Sequence, residues 1–358
     1  MRVEAVLFND RTTSPCLRCC KPCPCSTFSG PGRNPQQQLT VAIAGTTCVA
    51  FSRQGLREGQ AHVSMRPFTI WACETAAMLP DIVVHENTPE FPVSLLAQFF
   101  GRRYEIMSTL VSPEMFGWPA ERYRRYTIMC RKDTVLFAGT LDDFKAVFQG
   151  MPACSGDVFF AAQPGAQRQA LSRLLESRHM SPDIRDSGPE FDWAQAYTAA
   201  TRERLVDFEA RRAAHQGLDG SFLADLSQHA NRSKPGTLMP SLLKHAFIYS
   251  WKHKRHALGQ ELIASQGLPV LAACGRDDIK CPWQAAADTM SEATLTSLAG
   301  NAMNCLVISS LMAYIFSTTT KLPQASMLYE PASMLVDDDE ETPVQFDFGS
   351  CGSSSSAK

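Results

Sequence analysis

"LTVAIAGTTCVAFSRQGLREGQAH", residues 39 to 62, joins a run of strand-forming residues to a loop bearing glycine and arginine, with Cys48 at the junction. The first part is short and apolar, the pattern of a buried strand. A cysteine leaving the C-terminal end of such a strand stands where open α/β sheets place ligands, in the crevice beyond the strand ends. Two readings are open at this point. Cys48 is a small apolar residue closing a strand, or it is a nucleophile, which needs positive charge or a helix N-terminus nearby, because a free thiol with a pKa of about 8.5 is scarcely ionised at neutral pH. Arg53 and Arg57 in the following loop would supply such charge.

Outward from this stretch the same kind of run recurs. "DIVVHEN" (81–87), "YEIMSTLV" (104–111) and "RRYTIMC" (124–130) read as strands, and "PFTIWACETAAML" (67–79) and "PVSLLAQFFGRR" (92–103) as helices between the earlier ones. This alternation predicts an α/β fold with a mostly parallel sheet covered on both faces. From about Gly150 the chain turns polar and interrupted, and includes the helical "DWAQAYTAATRERLVDFEARRAAHQ" (192–216), closed by Gly217. That change predicts a separate, smaller lobe. "SEATLTSLAGNAMNCLVISSLMAYIF" (291–316) ends in a strongly apolar helix suited to returning to the first sheet. The expected organisation is an irregular Cys/Pro-rich segment at 1–38, the main α/β domain at 39–149, the lobe at 150–255, a returning part at 256–317 and an acidic, Ser-rich tail at 318–358. The tail, with "DDDEE" and "GSSSS", is too polar to repay ordering.

With 358 residues, 44% of them hydrophobic, the chain has apolar material for one large domain or two smaller ones. The net charge of -2 conceals local bias: arginines crowd residues 102–131, and Lys252, Lys254 and Arg255 form a second basic knot. No stretch reads as long and apolar enough to span a bilayer, and the N-terminus lacks the pattern of a secretory signal, so the expectation is a soluble protein. Thirteen cysteines spread along so long a chain fit a reducing compartment better than a disulfide scaffold. Five of them, at 16, 19, 20, 23 and 25, have spacing suited to zinc, but no second pair follows before Cys48, which favours an irregular reactive-thiol segment.

Three further features bear on Cys48. "ENTPEF" puts Glu86 at the end of the second strand, where a carboxyl group can exchange a hydrogen bond with a ring nitrogen. "GWPAERYRRYTIMC" opens a later strand with Arg122 and Arg124, whose spacing points both side chains to one face. His85, next to Glu86, faces the other way and is not placed to activate Cys48. Taken singly, Glu-Asn is most often a turn and Arg-x-Arg a solvated strand face.

Together and in this order, the segments resemble the cytosine-5 methyltransferases of nucleic acids. That family's Pro-Cys-Gln-x-Phe-Ser-x-x-Gly is matched by "TCVAFSRQG" through Cys48, Phe51, Ser52 and Gly55, its Glu-Asn-Val by Glu86 to Thr88, and its Gly-x-Pro-Gln-x-Arg-x-Arg by Gly117 to Arg124. "RHALGQELIASQGLP" looks like its Arg-x-Leu-Thr-x-x-Glu…Leu-Gln-Gly-Phe-Pro through Arg255, Glu261, Gln266, Gly267 and Pro269, and Gly300 and Asn301 resemble its Gly-Asn-Ser-Val helix start. The resemblance implies a Rossmann-like methyltransferase sheet with an inserted target-recognition lobe, and S-adenosylmethionine as cofactor, with Asn301 near it. It implies that Cys48 adds to carbon 6 of a flipped cytosine in DNA, Glu86 bonds ring nitrogen 3, and Arg124, with Arg122 beside it, holds the carbonyl. It makes Ser52, Arg53 and Arg57 parts of a lid over the base, and Lys252, Lys254 and Arg255 phosphate contacts. A nuclear protein in a eukaryote, or a cytoplasmic one otherwise, would follow.

The departures are Thr47 for the motif's proline, Val49 for the glutamine after the cysteine and Ala120 for the glutamine before Arg122. Upstream, "MRVEAVLFND" and the cysteine cluster offer no Phe-x-Gly-x-Gly-Gly loop for the cofactor, so the chain reads as N-terminally truncated or degenerate. The alternatives are a non-catalytic nucleic-acid-binding relative and an RNA cytosine-5 methyltransferase. A hydrolase is a third, for which no histidine is placed to activate Cys48.

Overall fold

The computed structural model describes residues 14–16, 21–23, 39–46, 63–180, 191–214, 220–271 and 282–323. The strands are β1 (Ser14–Cys16), β2 (Lys21–Cys23), β3 (Val41–Gly45), β4 (Ile82–Asn87), β5 (Tyr104–Val111), β6 (Arg124–Arg131), β7 (Val135–Phe137), β8 (Leu223–Asp225), β9 (Ile248–Ser250), β10 (Arg255–His256) and β11 (Thr319–Lys321). The helices are α1 (Arg66–Met78), α2 (Val93–Phe100), α3 (Leu141–Phe148), α4 (Pro164–Ser177), α5 (Ala199–Ala214), α6 (Gly259–Ser265), α7 (Pro282–Thr289), α8 (Glu292–Asn301) and α9 (Cys305–Thr318).

The main sheet has the order β3-β4-β6-β5. β3 and β4 run parallel, while β6 is antiparallel to both β4 and β5. The fold is therefore α/β with a mixed sheet, and the expectation of a mostly parallel one is corrected. The reason is local. Between β5 and β6 the chain makes only the short 3-10 turn Pro113–Met115 and no α-helix, so these strands lack the crossover that parallel pairing demands.

Alternation along the strands divides the core. Ile82, Val84, Ile128 and Tyr126 face α3 and α9, meeting Phe144, Val307, Leu311 and Ile315. Val83 and Met129 face the other way, against Phe68 and Ala72 of α1 and Leu96 and Phe100 of α2. All six residues of β4 are buried, as befits a central strand sandwiched between helical layers.

A second body of residues follows Gly150. The antiparallel β8-β9-β10 sheet carries one cluster with Trp193, Tyr197 and Phe208. Another joins Leu223 and Ile248 to Leu262 of α6 and to Leu295 and Ala299 of α8. Thus α6 and α8 are packed with the lobe, and α9 alone of the last helices packs on the main sheet.

Counted as one helical run, Glu292–Thr318 has 27 residues and the length and composition of a membrane span, contrary to the expectation that no stretch does. The run is interrupted at 302–304, between α8 and α9, where Asn304 caps the second helix, its Oδ1 accepting from the Leu306 and Val307 N–H groups at 3.1 and 3.3 Å. Its apolar residues serve the two cores instead: Leu295 and Ala299 one, Val307, Leu311 and Ile315 the other.

One buried ion pair organises the lobe's base. Arg255 Nη1 and Nη2 lie 2.7 and 2.6 Å from the Glu261 carboxylate, with side chains 3% and 0% exposed. Glu261 also accepts from the Ala162 and Leu258 N–H groups at 2.9 and 2.8 Å, and Arg255 lies over the Phe160 ring at 5.1 Å. Every carboxylate oxygen is thus satisfied, the condition under which a buried pair is tolerated. Replacing Arg255 by Met leaves Glu261 charged and unpaired inside, and should lower the unfolding free energy by about 3–5 kcal/mol, read from urea denaturation.

Candidate functional site

The register of β3 on β4 creates the site. Val41 pairs with Ile82 and Gly45 with Glu86. The near end is pinned by Asp81, whose Oδ2 accepts from the Thr40 N–H and hydroxyl at 2.8 and 2.9 Å. The far end is pinned beyond Gly45, where Asn87 Nδ2 donates to the Thr46 carbonyl and hydroxyl at 3.2 and 3.1 Å. With both ends held, the strand cannot slip by a residue, and Glu86 stays opposite the exit toward Cys48.

A side chain at Gly45 would crowd two neighbours. A Cβ there would lie 3.2 Å from Glu86 Oε2 and 3.0 Å from Met303 Cε. The carboxyl group is therefore set directly against the backbone of β3's last residue. Glu86 is 9% exposed, and its Oε1 lies 3.1 Å from Arg124 Nε without the alignment of a hydrogen bond, so among the described residues that buried oxygen has no aligned donor. Burial raises the Glu86 pKa from its ordinary 4.5, opposed in part by Arg124 and Arg122. Arg124 meanwhile donates from Nη1 to the Tyr123 carbonyl at 2.7 Å.

Arg122 does something different from Arg124. It is 4% exposed, and its Nη2 and Nη1 donate to the Gly300 and Leu242 carbonyls at 3.0 and 3.4 Å. Its N–H donates to Ser112 Oγ at 2.8 Å. Its guanidinium thus holds carbonyl groups of this chain, tying the start of β6 to the end of α8, while its charge still acts on Glu86.

His85 faces away from Glu86, as its neighbouring position on the strand requires. It stacks on Trp71 with centroids 4.9 Å apart and meets Phe91 at 4.9 Å. Burial pushes its pKa down to about 3, so the imidazole is neutral at physiological pH. Its Nε2 lies 2.7 Å from Thr46 Oγ1. Sequence reasoning gives Thr46 no role, sets His85 aside and notes Asn87 only as part of the Glu-Asn motif. The signal for them is that a polar residue follows β3 while His85 and Asn87 flank Glu86 at the polar end of β4.

Two expected residues fall elsewhere. Gly300 and Asn301 end α8, with Asn301 exposed, and so do not start a helix; that start belongs to Asn304, buried at the head of α9. The confusion arises because "GNAMN" holds two asparagines, and only the second precedes an uninterrupted apolar helix. Arg255, expected to touch phosphate, is buried in its pair with Glu261, because the two-residue strand β10 turns it inward. Lys252 and Lys254 remain exposed on the preceding turn. Cys48, Ser52, Arg53 and Arg57 lie outside the described residues, as do the side chains of the cysteine cluster.

No family model matches the chain, and no curated protein matches it. Solved structures do. The first two of the following are methyltransferases. Dnmt2 of S. pombe is 16% identical with a TM-score of 0.41, covering 78% of each chain. EhMeth of Entamoeba histolytica is 16% identical with a TM-score of 0.42, covering 78% of this chain and 77% of its own. A DNMT2 variant of Spodoptera frugiperda is 14% identical with a TM-score of 0.38, covering 79% and 84%.

Asn301, the residue expected near S-adenosylmethionine, and its neighbour Asn304 are both placed otherwise. Asn304 spends its oxygen on capping α9 and donates from Nδ2 to the Ser265 carbonyl at 3.4 Å, and Asn301 is exposed at a helix end. What is assembled is a buried carboxyl beside a guanidinium at the end of β3.

Two outcomes follow. Glu86, with its pKa raised in the folded state, keeps the folded protein more protonated than the unfolded chain, so its contribution to stability is full below about 4.5 and is lost as pH rises through the raised value. Glu86→Gln should therefore leave the unfolding midpoint near wild type at acid pH and raise it relative to wild type at neutral pH and above, measured by thermal denaturation across pH. Asn304→Ala should cost about 1 kcal/mol through loss of the cap, and Asn301→Ala less than about 0.5 kcal/mol, by the same denaturation assay.

Proposed function

We propose that this chain is a cytosine-5 methyltransferase-like protein that transfers a methyl group from S-adenosylmethionine to carbon 5 of cytosine in DNA through a covalent adduct on Cys48. The observation that carries the reading is the pairing of Gly45 with Glu86, three residues before Cys48, with the Arg124 guanidinium 3.1 Å from the same carboxyl. A carboxyl group, a guanidinium and a cysteine from three separated segments are what an extruded pyrimidine requires. The order of the matching segments in the sequence supports the same reading.

The chemistry of the described residues bears on the first step. Sulfur addition to carbon 6 makes one S–C bond and moves the carbon 5–carbon 6 π pair toward carbon 5 and the ring's nitrogen 3 and carbonyl oxygen. A carboxyl group held toward its neutral form by burial is a donor, and nitrogen 3 of cytosine is an acceptor. Arg124 would donate to the carbonyl oxygen, so both groups meet charge where it develops. S-adenosylmethionine, when bound, supplies the electrophilic methyl group. Binding to DNA would use the exposed Lys252 and Lys254, with the base drawn out of the stack at a cost of a few kcal/mol.

A duplex carrying pyrimidin-2-one at one position tests the adduct without the methyl donor, since addition at carbon 6 alone traps the sulfur. The expected result is a covalent complex on denaturing gels, absent in Cys48→Ser and at least about 100-fold slower in Glu86→Gln, the loss typical of a removed transition-state donor. Transfer of labelled methyl to cytosine duplexes, and to RNA as the alternative substrate, then tests the whole reaction. Salt-dependent DNA binding that survives Cys48→Ser, without any trapped complex, would replace this reading with that of a non-catalytic nucleic-acid-binding protein.

A further inference from the structure

The contacts around Thr46 form a closed set. His85, 1% exposed, is wedged between Trp71 and Phe91, and its Nε2 meets the Thr46 hydroxyl at 2.7 Å. Asn87, 2% exposed and on the same face of β4, donates to that hydroxyl at 3.1 Å and to the Thr46 carbonyl at 3.2 Å. The Asn87 oxygen in turn accepts the Thr88 N–H at 2.8 Å, which fixes the amide's orientation. Thr46 is thus gripped by side chain and backbone at the point where the chain leaves β3, two residues before Cys48.

A proline at position 47 would limit φ there by its ring. Thr47 imposes no such limit. A grip one residue earlier, built from two buried side chains with few rotamers open to them, holds Thr46 itself by hydrogen bonding. Steric confinement of the imidazole by Trp71 and Phe91 makes the grip stiff, and β4 sets its distance from Glu86.

We propose that His85, with Asn87, clasps Thr46 to fix the direction in which the chain leaves β3, and that His85 is thereby a positioning residue for Cys48. The chemical consequence rests on the function proposed above; the clasp itself does not. Misplacing a reacting atom by about 1 Å costs on the order of 100-fold in rate. The hydroxyl of Thr46 is the part that matters, so serine should serve and valine should not.

The test uses the full chain with Thr46→Val, Thr46→Ser and His85→Phe. One readout is the rate of Cys48 alkylation by iodoacetamide, followed by peptide mass spectrometry; the other is capture by the pyrimidin-2-one duplex. Thr46→Val and His85→Phe should change the alkylation rate and slow capture at least about 10-fold. Thr46→Ser should restore both, and the double variant should be no worse than either single one. Should Thr46→Val fail to fold, Thr46→Ala removes the same hydroxyl with less bulk. Alkylation and capture in Thr46→Val or Thr46→Ala equal to wild type would overturn the clasp. Failure of the wild type to be captured, with alkylation still responding to the hydroxyl, would remove the function proposed above and leave the clasp standing.

Discussion

The parallel register of β3 on β4 is the constraint on which the site depends. Asp81 holds one end of the pair through Thr40, and Asn87 holds the other through Thr46. Between these ends the residues of β3 are apolar or small and bear no charge to define the alignment. A slip of one residue would turn Glu86 away from the end of β3 and bring His85 in its place, since neighbouring side chains on a strand face opposite ways. The polar groups at the strand ends thus do more to define the chemistry than the apolar pairs between them.

Burial and electrostatics are coupled around this register. Gly45 allows the Glu86 carboxyl to press against the backbone, and that closeness excludes water and raises its pKa. Arg122 and Arg124 oppose the shift, yet neither makes an aligned bond to the buried Oε1. Arg122 is committed to the carbonyls of Leu242 and Gly300, which joins the sheet to the later part of the chain. The two arginines at the head of β6 therefore divide the labour, one toward architecture and one toward the carboxyl.

Much of this was legible in residues alone. The strands at 82–87, 104–111 and 124–131 and the helices at 66–78 and 93–100 follow from short β-branched runs and from apolar residues at helical spacing. Strand direction was not legible, because hydrophobic pattern says which residues are buried and nothing of which neighbour they pair with. Glu86 beside Arg124 could be anticipated from the order of motifs; the hydrogen bonds of Thr46 could not, since a threonine after a strand has no distinctive spacing. Arg255 misled because a basic cluster in sequence, "KHKRH", straddles a turn and a strand, and only its first members stay in solvent. Asn301 misled because helix caps are decided by which asparagine precedes the uninterrupted turn, a choice between residues three apart.

That same turn has a consequence for how the protein can change over generations. Its apex, Lys252 to Lys254, touches solvent, while the next residue is locked into the lobe's interior by Glu261 and Phe160. Mutations at Lys252 and Lys254 can rewrite the charge of this turn without breaking a buried ion pair, whereas one codon further on the lineage has almost no freedom. Drift and adaptation are thus channelled onto adjacent positions of opposite tolerance, so that divergence in the charge of this face can proceed while its foundation stays the same.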